Sequence, residues 1–159
     1  MRCTVDFNDD WLFCLGDDER YIGMDWDDST WKSVRLPHDW SMEYEIDSNS
    51  QTGGGGGYAI AGTGFYRKHF IIDEKKPDNK IFFLFEGVYM NSTVYVNGIK
   101  AGGHEYGYSS FAVDATEAVC AGENIISVRV DNSRQPNSRW YTGSGIYRNV
   151  WMVETGSVH

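Results

Sequence analysis

An antiparallel β-sandwich of the jelly-roll type is the fold class this chain predicts, and three observations point to it. β-Branched and aromatic residues gather in short runs bounded by Gly, Asn, Asp or Pro. The dipeptide Asn97-Gly98 stands between two such runs and supplies the two positive φ angles of a type I′ hairpin. Helical signals are confined to two short stretches, so runs of strands rather than strand-helix alternation fill the chain. With 159 residues, the chain fits one domain and can bury about 70% of the surface its unfolded form exposes.

Along the chain the strand signals fall at Thr4–Phe7, Trp11–Leu15, Lys32–Leu36, Gly64–Ile72, Lys80–Glu86, Ser92–Val96, Ile99–Gly103, Ser109–Asp114, Asn124–Val130 and Val150–Glu154. In Asn124–Val130, Ile126, Val128 and Val130 alternate with Ile125, Ser127 and Arg129, which predicts one face in the core and one partly wet. Ile81–Phe85 is apolar on both faces, which suits a central strand or one whose outer face meets something else. Asp114 can cap a short helical turn over Ala115–Val119, with Glu117 completing a capping-box pattern. Asp27–Trp31 is the second short helical candidate.

Composition narrows the function. The chain is 41% apolar and 15% aromatic, enough to offset the entropy of ordering. Fourteen basic against twenty-three acidic residues leave a net charge of −9 with no Lys/Arg cluster, so nucleic acid is not an expected partner. Apolar runs fall far short of the ~20 residues that span a bilayer, and no membrane partner is expected. Cys3, Cys14 and Cys120 lack the spacing of a zinc knuckle or a disulfide framework and read as free thiols. No cofactor or metal is expected.

Two long polar stretches interrupt the strand pattern: residues 42–64, with five consecutive glycines at Gly53–Gly57, and Asp131–Arg139, rich in turn formers. The glycines are not followed by the Lys of a phosphate-binding loop. The acidic clusters Asp9-Asp10, Asp17-Asp18-Glu19 and Asp25–Asp28 read as solvated loops. His38-Asp39 has no accompanying nucleophile motif and reads as a turn and packing pair. His104 and Glu105 lack the further ligands a zinc site needs. Asn91-Ser92-Thr93 is a formal glycosylation sequon lying in a strand region.

The phrases "LPHDWS" at 36–41, "GTGFYRKHF" at 62–70, "FEGVYMNSTVYVNG" at 85–98, "GYSSFAVDATEAVCAGENIISVRVDN" at 107–132 and "RWYTGSGIYRNVW" at 139–151 together resemble the N-terminal sugar-binding domain of glycoside hydrolase family 2, the β-galactosidase group. The resemblance covers nearly the whole chain. It implies a galactose-binding-like jelly roll that precedes an immunoglobulin-like domain and a TIM barrel, with both catalytic glutamates on the barrel. Residues 1–159 are then one non-catalytic domain of a larger retaining glycosidase, and this piece has no catalytic residues.

The same resemblance directs attention to the loops Tyr58–Gly64 and Gln135–Tyr141 as those that reach the barrel mouth. Asn137, Ser138, Arg139, Trp140, Tyr141 and Ala61 are the candidate pocket residues. Aromatic faces suit the apolar C–H side of a pyranose, and amide and guanidinium groups suit its hydroxyls. For Trp140 and Tyr141 a plug at the sheet end or the barrel interface is the favoured reading over sugar contact. Ala61 and Ser138 depart from the family pattern, since galactosidases of the group carry there an Asn and an Asp that reach the substrate. Gly143 and Gly145 read as turn glycines with positive φ, and Arg148 as the partner of a carboxylate at the core edge.

Three function classes follow: a pocket-shaping accessory domain of an exo-glycosidase, an autonomous carbohydrate-binding module, and a purely structural domain. Carbohydrate and the remaining domains of the parent enzyme are the expected partners. Apolar patches left by absent neighbours also make a homo-oligomer an expectation. Family members occupy both the bacterial cytoplasm and the periplasm or envelope, so the compartment stays open.

Overall fold

The computed structural model describes residues 2–45, 48–50, 52–54, 58–138 and 142–156. Among these described residues, ten strands form two antiparallel sheets. They are β1 (Arg2–Asp6), β2 (Trp11–Leu15), β3 (Lys32–Val34), β4 (Gly62–Ile72), β5 (Lys80–Phe85), β6 (Ser92–Val96), β7 (Ile99–His104), β8 (Phe111–Asp114), β9 (Gly122–Asn132) and β10 (Val150–Thr155). One sheet has the order β1-β10-β5-β8 and the other β3-β2-β4-β9-β6-β7. The sandwich is the predicted one, with every predicted strand present.

Between the sheets lies a single aromatic and aliphatic core. Trp11, Trp40, Tyr66, Phe83 and Phe85 are fully enclosed, with Val94, Ile126, Val128 and Val130 filling in from β6 and β9. Phe7 meets Trp11, Phe70 and Phe83 at ring separations of 5.0 to 5.9 Å. Such edge and tilted contacts add to the burial of large rings. The hairpin between β6 and β7 turns on Asn97 (φ 51°) and Gly98 (φ 80°), as its sequence requires.

The outer face of β9 is drier than alternation predicts. Ile125 and Ser127 are buried, because residues 17–31 fold across this sheet. Tyr21 packs on Phe65, Trp26 and Trp31 at 5.0 to 5.2 Å. Beneath it the enclosed Arg67 donates Nε to Asp28 Oδ2 at 2.7 Å and Nη1 to the carbonyls of Tyr21 (2.5 Å) and Gly23 (3.0 Å). Asp28 therefore leaves the solvated cluster in which its sequence neighbours place it, and His69 Nε2 also reaches it at 2.9 Å. Asp17 is likewise engaged, by Arg129 at 2.5 and 2.7 Å.

β5 is central in its sheet, with Ile81, Phe83 and Phe85 inward. Its outward Phe82 and Leu84 are half-buried, and Trp151 of β10 stands opposite Leu84. Of the two short segments with helical signals, the first forms the single capped turn expected of it and the second does not become a helix. Ala115–Val119 is a turn, tied by the Ala118 and Val119 N–H groups to the Ala115 carbonyl while the Ala115 N–H pairs with Ile81 of β5. Asp114 does cap it, accepting from Thr116 N at 2.9 Å. Asp27–Trp31 is also a turn, and the short 3-10 helices lie instead at Glu19–Ile22 and Trp40–Met42, capped by Asp18 and Asp39. Among the described residues no helix is long and apolar enough to cross a membrane.

Candidate functional site

Strand pairing gathers the loops at one end of the six-stranded sheet. Gly62 pairs with Asn132, and Ser92 pairs with both Val130 and His104. The segments before β4, before β6, after β7 and after β9 therefore all open on the same side. Loops on such a rigid frame are where binding residues concentrate.

Asn132, the last residue of β9, ties the roots of these loops together. It is almost fully buried; its Nδ2 donates to Ser144 Oγ at 2.7 Å, and its Oδ1 accepts from Asn137 Nδ2 at 2.5 Å and Gln135 Nε2 at 3.0 Å. Asn137 in turn accepts the Tyr89 hydroxyl at 3.3 Å through Oδ1. Tyr89 and Gly145 exchange backbone hydrogen bonds at 2.9 and 3.0 Å, which fixes the 142–146 stretch to the loop before β6. A polar network rooted in a buried, satisfied amide specifies one arrangement at that root, since each partner lost by Asn132 leaves a desolvated group unpaired.

The segment 36–41 clamps the other side. The N–H groups of His38 and Trp40 donate to Ile146 and Ser144 at 2.8 and 3.0 Å. Asp39 Oδ1 accepts from Ser144 N, Ser41 N and Ser41 Oγ. His38 is a packing residue, as expected: Nδ1 meets the Tyr66 hydroxyl at 2.7 Å and Nε2 lies 3.0 Å from Glu43. Burial by itself would raise the Glu43 carboxyl, but hydrogen bonds from Lys32 and His38 outweigh it and hold the group below its ordinary value. Asp131 behaves alike: burial opposes ionisation, and the Ser133 hydroxyl and N–H with the Arg129 charge bring it below the usual range.

Gly145 has φ +128°, and a Cβ there would come within 2.7 Å of the His38 carbonyl. Gly143 is needed for a different reason from the one the sequence suggested. Its φ is not positive, and a Cβ would collide with the Asp39 carboxylate. Arg148 also departs from expectation. Among the described residues it has no carboxylate in ion-pairing range; its guanidinium lies 5.7 Å from the Tyr147 ring centre, because the stem of Arg148 and the Tyr147 ring close over Gly87.

Of the predicted pocket residues, Asn137 and Ser138 come together on the wall of a half-open hollow of about 510 Å³. Ala61 is half-buried just before β4, whose first residue Gly62 pairs with Asn132, and is not among the described residues of that wall. Just ahead of it the Ala59 carbonyl accepts from Ser50 Oγ and Thr52 Oγ1 at 2.7 and 2.9 Å. Arg139, Trp140 and Tyr141 lie outside the described residues, as do Gly55–Gly57 of the glycine run.

The rest of the wall escaped the sequence reading: Tyr89, Met90, Tyr106, Gly107 and Tyr108. The available signal was "HEYGYSSF", a polar turn run holding two tyrosines either side of a glycine. Tyr108 meets Tyr89 at 5.3 Å and Tyr106 at 5.7 Å, both in edge geometry. Burial raises the Tyr89 phenol above its ordinary value, so it stays a neutral donor at any physiological pH. His104 turns to Ser109 Oγ at 2.7 Å and stacks on Phe111. Among the described residues no group of three His, Cys, Asp or Glu side chains is placed to hold a metal ion.

Residues 5–156 match the family model for the glycosyl hydrolases family 2, sugar binding domain. A β-galactosidase of Bacteroides ovatus, BoGH2A, is 48% identical over 99% of this chain, which corresponds to 19% of that protein. A putative β-glucuronidase of Formosa agariphila is 40% identical over the full chain and 15% of its own length. Among solved structures, a β-glycosidase from Bacteroides vulgatus superposes with a TM-score of 0.91 at 41% identity, over 97% of this chain and 20% of that one. Bacteroides uniformis β-glucuronidase superposes at 0.84 with 29% identity, over 98% of this chain and 18% of its own. The chain thus spans about a fifth of the relatives it matches, and it belongs to the sugar-binding domain family of the family 2 glycosyl hydrolases.

Proposed function

We propose that residues 1–159 form the non-catalytic N-terminal domain of a larger, exo-acting retaining glycosidase of the β-galactosidase type. In this reading the loops at the Asn132 end complete the substrate pocket and pack on a barrel domain that follows in the parent. The observation that carries it is the convergence of loop roots on Asn132, which presents Asn137 and Ser138 immediately before residues 139–141. Retaining hydrolysis needs two carboxyl groups about 5–5.5 Å apart. Among the described residues the wall of the hollow has none. Its chemistry is that of hydrogen bonding and aromatic contact, which suits holding a sugar rather than cleaving one.

Kinetics of the parent enzyme on p-nitrophenyl β-galactoside and β-glucuronide test the reading. Asn137→Ala, Trp140→Ala and Tyr141→Ala are each expected to lower kcat/KM about tenfold, the scale of one hydrogen bond or one aromatic contact at the substrate. Unchanged values for all three reject a pocket role. Hydrolysis of either substrate by the purified chain rejects the non-catalytic assignment, and millimolar or tighter sugar binding by the chain alone, seen by calorimetry, favours an autonomous module.

A further inference from the structure

We infer that the tyrosine-lined hollow beside Asn137 is a subsite for a neutral pyranose ring beyond the terminal sugar, the part of an oligosaccharide substrate on the leaving-group side. The inference rests on the pocket role proposed for this end of the sandwich. Its own evidence is the construction of the loop 105–110. Tyr106 and Tyr108 are 61% and 46% exposed, unusual for rings that belong to a tightly anchored loop. The Gly107 carbonyl accepts the Tyr147 hydroxyl at 2.6 Å, the Glu105 carbonyl accepts the Asn91 N–H at 3.1 Å, and Ser109 Oγ meets His104. Gly107 itself lies so close to the Tyr89 ring that a Cβ would strike it, which leaves the tyrosines on either side flanking the hollow. Rings held in place this way bind at little entropic cost.

Size and polarity narrow the occupant. About 510 Å³ falls within the range of small-ligand sites and accommodates a sugar ring. Ring faces and the Met90 thioether supply the apolar contact that a pyranose presents with its C–H side, and the Asn137 amide and Tyr89 hydroxyl, bonded to each other, keep further donor and acceptor capacity for its hydroxyls. Among the described residues, none of the seven on the wall carries a formal charge, so what they offer a ligand is ring contact and hydrogen bonding, which favours a neutral hexose or pentose. The terminal sugar must sit against the catalytic carboxyls, and the described residues of this wall include no carboxyl. That leaves the remainder of the substrate.

The test uses the parent enzyme and two substrates that share the terminal sugar it cleaves: the methyl glycoside, and an oligosaccharide in which that sugar is β-linked to a neutral disaccharide. Tyr106→Ala and Tyr108→Ala are expected to lower kcat/KM about tenfold on the oligosaccharide and less than twofold on the methyl glycoside, with Tyr106→Phe and Tyr108→Phe near the wild type on both. Equal losses on the two substrates, or none on either, overturn the subsite. A fall in the parent's thermal midpoint with no substrate effect also overturns it and identifies the patch as a domain contact. Sensitivity at Asn137 and Tyr141 with indifference at Tyr106 and Tyr108 removes this inference alone. Indifference at Asn137, Trp140 and Tyr141 removes the pocket reading beneath it.

Discussion

Asp39 Oδ1 accepts the backbone N–H of Ser144 at 2.8 Å, joining positions 105 residues apart. The same oxygen holds Ser41 N at 2.9 Å and Ser41 Oγ at 2.5 Å, so one carboxylate both starts a 3-10 helix and fixes the chain that leads out of the candidate site. Asp39→Ala leaves three donors without their acceptor. A loss of about 2 kcal/mol is expected, with a fall of several degrees in the thermal midpoint, and Asp39→Asn should recover part of it. A melt indistinguishable from wild type contradicts the clamp.

Asp28 and Arg67 make the sharpest pH prediction. Burial disfavours the Asp28 carboxylate, yet hydrogen bonds from Arg67 and His69 overcome that and hold its pKa below the ordinary value. A group depressed in the folded state contributes stability above its unfolded pKa of about 3.9, and the contribution is lost as pH falls through the lower folded value. Asp28→Asn strands an enclosed guanidinium and is expected to cost about 3–5 kcal/mol near neutrality. Urea titrations should show the gap between wild type and variant narrowing below about pH 4. A gap that widens in acid would falsify the pairing.

Tyr147→Phe removes the hydroxyl that donates to the Gly107 carbonyl. Global stability should fall by about 1 kcal/mol, while the amide protons of residues 105–110 lose protection by a larger factor. Hydrogen exchange resolves the two. Uniform loss across the sandwich, with no excess in this loop, argues against the anchor.

For Arg148→Ala the expectation is a small effect, about 0.5–1 kcal/mol, because the guanidinium only overlies the Tyr147 ring. A thermal midpoint many degrees lower contradicts this placement and revives an ion pair.

The strands were legible because alternation and turn residues are local signals, and Asn97-Gly98 marks its hairpin from two residues alone. Strand ends were less so. β4 and β9 continue to the Gly62 and Asn132 pair through Gly, Asp and Asn, residues with little strand preference that are held there by eleven consecutive cross-strand partners. The cover over β9 was invisible, since residues 17–31 read as an acidic loop until Arg67 is seen to need Asp28 and two carbonyls. At the candidate site, Asn137 and Ser138 were reached through a family resemblance. Tyr106 and Tyr108 were not, because two aromatics in a polar turn look like ordinary surface until Gly107 is found against Tyr89.

The Asn132 knot divides its end of the molecule into parts that evolution can treat separately. Side chains that take no part in it can change while the scaffold keeps its shape, whereas replacing the single amide at the root would slacken the ties to Gln135, Asn137 and Ser144 together. Diversification among cousins of this domain should therefore run through the crests and spare the junction below.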